Sequence, residues 1–306
     1  MRTAYYTGLR APAVILHGGA GRWLSRARRG LVGEALNYMV AAAEAALSTS
    51  DAFSAVVEAL TVMEDSGVFN AGVGSVLNYA GEVEMDAGVM ASWGPVGAVG
   101  AVKYPRNPIR LAAEVARRTR HILLVGEGAD RMARRLGLPR HPGPLRRQVE
   151  RYKHLASSPS KPEWAAVLDE LYGADTIGAA AAWGAGLAAA ASTGGIVLKH
   201  PGRVGDSAIP GAGFYASEAA ACSATGIGEQ IIRLSTCRSI VEMVEDGVNV
   251  LEAVKALVEE HNKVFGPGGV GVVVLTRAGE AAAAINTEAM PVCIADQLHT
   301  SAFLLH

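Results

Sequence analysis

The run Gly173-Ala174-Asp175-Thr176-Ile177-Gly178 places a threonine hydroxyl between an acidic side chain and the start of an apolar stretch. A threonine hydroxyl is a weak nucleophile and needs an adjacent base. If the bond before Thr176 is cut, Thr176 becomes a chain terminus. Its own α-amino group, with an ordinary pKa of about 7.7–8.0, then takes the hydroxyl proton. An internal threonine reaches that state when its hydroxyl attacks the preceding carbonyl carbon and the resulting ester is hydrolysed. Asp175 flanks that bond, as a base or a source of strain. Taken alone, an Asp-Thr pair is more often a turn or a cap.

Three further motifs lie downstream. Gly202-Arg203-Val204-Gly205-Asp206-Ser207 sets an arginine and an aspartate three apart in a glycine-rich loop. On a free surface that is an ion pair of little worth. Held rigidly it is a clamp for a zwitterion, with Arg203 gripping a carboxylate in bidentate fashion and Asp206 accepting an ammonium. Ala224-Thr225-Gly226-Ile227-Gly228-Glu229 reads as a strand end running into a helix start. Its Thr225 hydroxyl and Gly226 N–H could form an oxyanion hole. The competing phosphate loop lacks its lysine, and a dinucleotide fingerprint lacks its third glycine. Ser192-Thr193-Gly194-Gly195 is either a plain turn or a second hydroxyl that orients a nucleophile. The eight histidines show no metal-ligand spacing, and His17 reads as structural.

These motifs need a scaffold. An apolar strand at 13–16 runs into the glycine turn His17-Gly18-Gly19-Ala20-Gly21. Helical spacing predicts helices over 30–47 and after Ser50, an N-cap candidate. Strands follow over 73–79, 83–90 and 96–102. Helices over 107–119 and 129–136 enclose a strand at 121–125. The proline-rich stretch at about 139–162 reads as an exposed linker, and a helix over 163–172 leads to Thr176. Segments 177–183, 187–193, 195–198 and 219–225 are alanine-rich, yet glycines interrupt any helix there every few residues. They read as strands, with alanine letting layers pack closely. Helices over 229–245 and 250–264 precede a hairpin of 270–276 with 281–285. Short strand spacings favour antiparallel sheets covered by helices over regular βαβ alternation.

The 306 residues are half hydrophobic, enough for a large core, and the net charge is −1. Nothing in that balance points to nucleic acid or an anionic membrane. The basic residues between Arg131 and Lys153 lack interleaved aromatics and read as solvated surface. Three distant cysteines make a poor disulfide framework, and no signal peptide or membrane span is legible. A reducing, cytoplasmic setting fits.

Taken in order, the motifs resemble the plant-type asparaginase and isoaspartyl peptidase family of N-terminal nucleophile hydrolases. The likeness runs from the His17–Gly21 turn through Phe69-Asn70-Ala71-Gly72-Val73-Gly74, Met85-Asp86-Ala87, Asp175–Gly178 and Ser192–Gly195. It continues through the long match GRVGDSAIPGAGFYA and Thr225–Glu229. The resemblance implies an α+β fold, an αββα four-layer sandwich of two antiparallel sheets between helix layers. It implies one domain, 1–306, cut into an α subunit, 1–175, and a β subunit, 176–306. Two such αβ units would form a dimer. The implied activity is hydrolysis of L-asparagine and β-aspartyl dipeptides, with no catalytic cofactor. Carried over by motif, Thr176 is the nucleophile, Thr193 its hydroxyl partner, and Thr225 with Gly226 the oxyanion hole. Arg203, Asp206 and Gly228 bind the head group, and Asn70 is an active-site asparagine. The resemblance leaves room for a structural sodium at the carbonyls of Met63, Glu64 and Phe69. Relatives of this type usually carry glycine before the threonine. Asp175 instead looks like glycosylasparaginase and the threonine aspartase. An amidase of the former kind, a threonine endopeptidase and a non-enzymatic amino-acid binder are the alternative readings.

Overall fold

The computed structural model describes residues 1–25, 29–157 and 176–306. Strands β1 (Arg2–Tyr6) and β2 (Ala13–His17) open the chain, followed by helices α1 (Val32–Leu47) and α2 (Ala52–Asp65). The hairpin β3 (Met85–Ala91) and β4 (Val96–Val102) leads through α3 (Pro108–Arg118), β5 (Leu123–Val125) and α4 (Gly126–Arg135) to α5 (Arg146–Ala156). After Thr176 come β6 (Ile177–Trp183), β7 (Gly186–Thr193), β8 (Phe214–Ala216) and β9 (Ala220–Gly226). Three helices follow, α6 (Gly228–Arg233), α7 (Thr236–Glu245) and α8 (Val250–Phe265). The chain ends in β10 (Val270–Thr276), β11 (Ala281–Ile285), β12 (Met290–Asp296) and β13 (Thr300–Leu305).

The strands form two sheets. One has eight strands in the order β13-β12-β2-β6-β7-β3-β4-β5, the other five in the order β1-β11-β10-β9-β8. Strand alternation sorts the core into three layers. Val14 and Leu16 of β2 face α1 and α2, while Ala13 and Ile15 face the second sheet. In β9, Ala221 faces the first sheet, whereas Ala220, Cys222 and Ala224 face α7 and α8. The result is the expected helix–sheet–sheet–helix sandwich. Alanine dominates the inner faces because two sheets must interdigitate closely there. Phe214 is an exception, and it fits only because a Cβ on Gly88 would lie 2.1 Å from its ring and is missing.

The alternation also aims the site. In β6, Ile177, Ala179 and Ala181 pack on the helices and Ala180 and Ala182 on the second sheet. In β7, Ala188 and Ala190 take the helix side, Ala189 and Ala191 the inner side. Extending each pattern by two-residue steps puts Thr176, Thr193 and Thr225 on the inner faces, at the mouth between the sheets.

The structure corrects several sequence expectations. The β4–β5 pair is parallel, the one such pair among the described strands. Segments 73–79 and 195–198 are not strands. They meet each other instead, through Tyr79 N–H to Lys199 O at 2.8 Å and Leu198 N–H to Leu77 O at 2.8 Å. Their apolar side chains pack together under Tyr152 and Leu155 of α5. The stretch expected as an exposed linker therefore contains a docked helix. Buried His141 and Gln148 fasten it, donating to the carbonyls of Gly72 and Gly74 at 3.0 and 2.8 Å. The expected 163–172 helix lies outside the described residues, as does the linker from 158 onward. The single 229–245 helix is broken by Ser235, whose φ of 46° no helix accommodates. Helix α2 is capped by Asp51 rather than Ser50, with Asp51 Oδ1 accepting Ser54 N–H at 2.9 Å. Strands β1, β8, β12 and β13 had no counterpart in the sequence reading.

Candidate active site

The ladder register pairs Ile177 with Ser192. Continued by one residue, it sets Thr176 opposite Thr193. Both are buried. The Thr193 hydroxyl accepts Gly195 N–H at 3.0 Å, so its own proton is free to be donated toward Thr176. Asn70 braces that turn from behind. Its amide donates to Gly195 O at 2.6 Å, and its backbone oxygen accepts Gly194 N–H at 2.8 Å. Ser192, by alternation, points the other way, to Glu64 at 2.5 Å. Burial lifts the Glu64 carboxyl to about 8. That acid therefore stays protonated on the helix side of the sheet and takes no part in the site.

Beneath Thr176 sits His17, fully buried on β2, with Nε2 3.0 Å from Ser223 Oγ of the opposite sheet. Burial drives its imidazole down to about 3, only partly opposed by the backbone of Thr176. It is a neutral tie between the sheets, as a structural histidine should be. The tie exists because residue 178 is glycine: a Cβ there would lie 2.0 Å from Ser223 Oγ and 2.1 Å from His17 Nε2. Gly178→Ala is expected to break the pair and lower folding stability by about 1–3 kcal/mol, read as an earlier urea midpoint with unchanged slope.

Arg203 and Asp206 lie on either side of Gly228. A Cβ on Gly228 would lie 2.7 Å from Arg203 Nη2 and 2.9 Å from Asp206 Oδ1, so this glycine leaves the space between them open. Asp206 is buried and its Oδ2 has no hydrogen-bond partner. Burial raises its carboxyl to about 7, against the pull of the Arg203 charge. Glu229, given no role by the sequence reading, orients the guanidinium with Nε and Nη2 bonds of 2.9 Å each. Asp86 and Lys199 were likewise missed. Asp86 fixes the clamp loop by accepting Gly205 N–H at 3.0 Å and Ala101 N–H at 2.8 Å. The buried Lys199 ammonium lies 3.8 Å from Asp86 Oδ2. Asp86 stands inside the Met85-Asp86-Ala87 motif, which could have flagged it, whereas Lys199 lies in none of the motifs.

The residues expected to form an oxyanion hole, Thr225 and Gly226, end β9. Thr225 Oγ1 accepts Ala20 N–H at 3.2 Å, which leaves its proton to donate. Ile227 N–H bonds Gly269 O at 2.8 Å. By antiparallel alternation the Gly226 N–H then points away from β10, beyond the end of β8. Gly226 holds φ +142°, and a Cβ on it would lie 2.1 Å from Gly269 O, so no other residue serves.

Residues 10–304 match the model of the asparaginase family. The chain belongs to that family. It is 39% identical to a plant-type L-asparaginase of Pyrococcus horikoshii, over 91% of this chain and 94% of the relative. A plant-type L-asparaginase of Pyrobaculum calidifontis is 41% identical over 90% of this chain and 94% of its own. The isoaspartyl peptidase/L-asparaginase of Bos taurus is 39% identical over 92% of each. In this hydrolase family member the structure sets Thr176 and Thr193 beside the turn braced by Asn70, gathers Arg203, Asp206 and Gly228, and ends β9 on Thr225 and Gly226. Asp175 and the bond it shares with Thr176 lie outside the described residues. Among those described, no helix is long and apolar enough to cross a membrane.

The loop after α2 turns carbonyl oxygens inward. A Cβ on Gly72 would lie 2.9 Å from Glu64 O, and one on Gly74 would lie 2.0 Å from Phe69 O and 2.7 Å from Gly67 O. One of these oxygens, Gly67 O, accepts from the Arg147 guanidinium. Met63 O accepts the Ser66 hydroxyl at 2.7 Å.

Proposed function

We propose that the protein cuts itself between Asp175 and Thr176 and then hydrolyses the side-chain amide of L-asparagine and the isopeptide bond of β-aspartyl dipeptides, releasing L-aspartate. The observation that carries this reading is the buried Asp206 carboxyl, whose Oδ1 and the Arg203 Nη2 both border the space left open by Gly228 and whose Oδ2 has no hydrogen-bond partner. An α-amino acid head group supplies the ammonium that Asp206 lacks and a carboxylate for the remaining Arg203 N–H groups. The aspartyl side chain then extends toward the threonines.

In the proposed cycle the Thr176 amine takes the proton of its own hydroxyl, and Oγ attacks the β-carbonyl carbon. Thr193 orients that oxygen. The oxyanion is held by the Thr225 hydroxyl and the Gly226 N–H. The C–N bond breaks as the amine returns the proton to the leaving nitrogen, giving an ester on Thr176. Water, deprotonated by the same amine, attacks the ester and frees aspartate and the hydroxyl. No cofactor enters the cycle. A sodium ion at the carbonyls of Met63, Glu64 and Phe69 would hold the loop that carries Asn70. The αβ units pair into a dimer, and three buried free cysteines suit the cytoplasm.

Thr225→Val removes one oxyanion donor while keeping the volume. It is expected to lower kcat by about 10²–10³ with little change in KM, measured by ammonia release from asparagine. The substrate range is tested by assaying asparagine, β-aspartyl-leucine and a glycosylated asparagine side by side. Preference for the glycosylated compound would overturn this reading.

A further inference from the structure

A cavity of about 480 Å³ opens beside the oxyanion hole and is claimed by none of the groups described so far. Gly226 and Ala20 form its inner wall, the residues that carry and brace the oxyanion donors. The clamp residues Arg203, Asp206 and Gly228 are not among those lining it. Arg22, Gln230, Asn286, Thr287 and Glu288 supply its polar side chains. Two of their atoms are buried without a hydrogen-bond partner, Gln230 Oε1 and Thr287 Oγ1. Burying such groups unsatisfied is costly unless a ligand meets them. The Arg22 side chain has no ion-pair partner among the described residues.

Resting on the amidohydrolase reading, we infer that this cavity receives the leaving residue of a β-aspartyl dipeptide, with Arg22 gripping its α-carboxylate. The four substituents of the tetrahedral carbon place it there. One is Thr176 Oγ, the second is the oxyanion at Thr225 and Gly226, and the third is the carbon chain running to the clamp. The fourth, the leaving nitrogen, takes the remaining direction, on the cavity side of Gly226. Its N–H satisfies Gln230 Oε1, and the carboxylate spans Arg22 and the Thr287 hydroxyl. Asparagine, which loses ammonia, leaves the cavity to solvent. Glu288, whose Oε1 also accepts Leu24 N–H at 2.7 Å, faces the leaving side chain and disfavours an acidic one.

The test compares kcat/KM for β-aspartyl-leucine with that for asparagine in the wild type and in Arg22→Gln. The ratio is expected to fall about tenfold, through KM of the dipeptide. Wild-type enzyme should also prefer β-aspartyl-lysine to β-aspartyl-glutamate, and Glu288→Gln should narrow that preference. An unchanged ratio, or an equal loss on both substrates, overturns the inference, as does hydrolysis of asparagine with no hydrolysis of any dipeptide. If the wild type hydrolyses neither substrate, the amidohydrolase reading itself fails.

Discussion

Thr176→Ala is expected to yield one uncut chain that folds normally and does not hydrolyse asparagine. In the proposed mechanism two separate functions rest on this hydroxyl. It must attack the carbonyl of residue 175 during maturation, and it must attack the substrate afterwards. Alanine removes the oxygen from both. It also leaves residue 176 without a free amine, so the base is lost as well. Groups that act as one unit fail together, and the loss should be on the order of 10⁴-fold or more in kcat. Structural side effects should be small, because only the hydroxyl and γ-methyl of the residue preceding β6 are lost and the β6–β7 ladder stays in place. Denaturing electrophoresis with N-terminal sequencing reads the first function and ammonia release the second. Wild-type protein should give a fragment beginning Thr176-Ile177-Gly178. Thr176→Ser keeps a hydroxyl and should still cut and turn over, more slowly. An alanine variant that is active as a single chain would dispose of the mechanism.

The second large effect is expected from Asp206→Asn. The substrate ammonium would then enter a buried site with no counter-charge, next to the Arg203 cation. Removing one member of such a pair costs about 2–5 kcal/mol, which is roughly 30- to several-thousand-fold in kcat/KM. The pH dependence sharpens the test. Burial holds the empty Asp206 carboxyl up at about 7, well above an ordinary aspartate. As pH falls through that value the carboxyl gains a proton and the clamp loses its negative charge. KM for asparagine should therefore rise below pH ~7 in the wild type. In Asp206→Asn that limb of the KM profile should vanish, leaving whatever dependence the Thr176 amine imposes on kcat. A wild-type limb that survives the substitution unchanged would remove Asp206 from the clamp.

The site was more legible than the scaffold around it. Thr176, Thr193, Arg203, Asp206 and Thr225 stand in short motifs where chemistry dictates both residue and spacing. In the structure, alternation then puts Thr176 and Thr193 on the inner face of one sheet and Thr225 on the inner face of the other. Glu229 and Asp86 were missed because their work is to hold other groups. Their partners stand 26 and 119 residues away, and no local pattern encodes such a contact. Segments 73–79 and 195–198 misled for a different reason. An apolar run signals burial, and a loop that packs against another loop is buried as thoroughly as a strand. Likewise the prolines and charges of 139–157 hid α5, whose docking depends on only a few inward side chains such as Gln148. Edge strands β1 and β13 carry too few buried residues to show a pattern.

The position of β6 has a consequence for the life history of the molecule. In the eight-stranded sheet it lies between β2 and β7, and β7 lies against β3. Strands from before and after residue 175 thus alternate across one sheet, and β1 joins the second sheet beside β11. Once cut, the two pieces remain woven together by main-chain bonds, so scission alters the chemistry of one residue without loosening the body. The weave also makes maturation a one-way step. An intact chain threads these strands while its halves are tethered, whereas separated pieces would have to find an interleaved register from solution. Heat or denaturant should be far harder to reverse after the cut than before it, so mature enzyme would persist through slow unfolding rather than through repeated refolding.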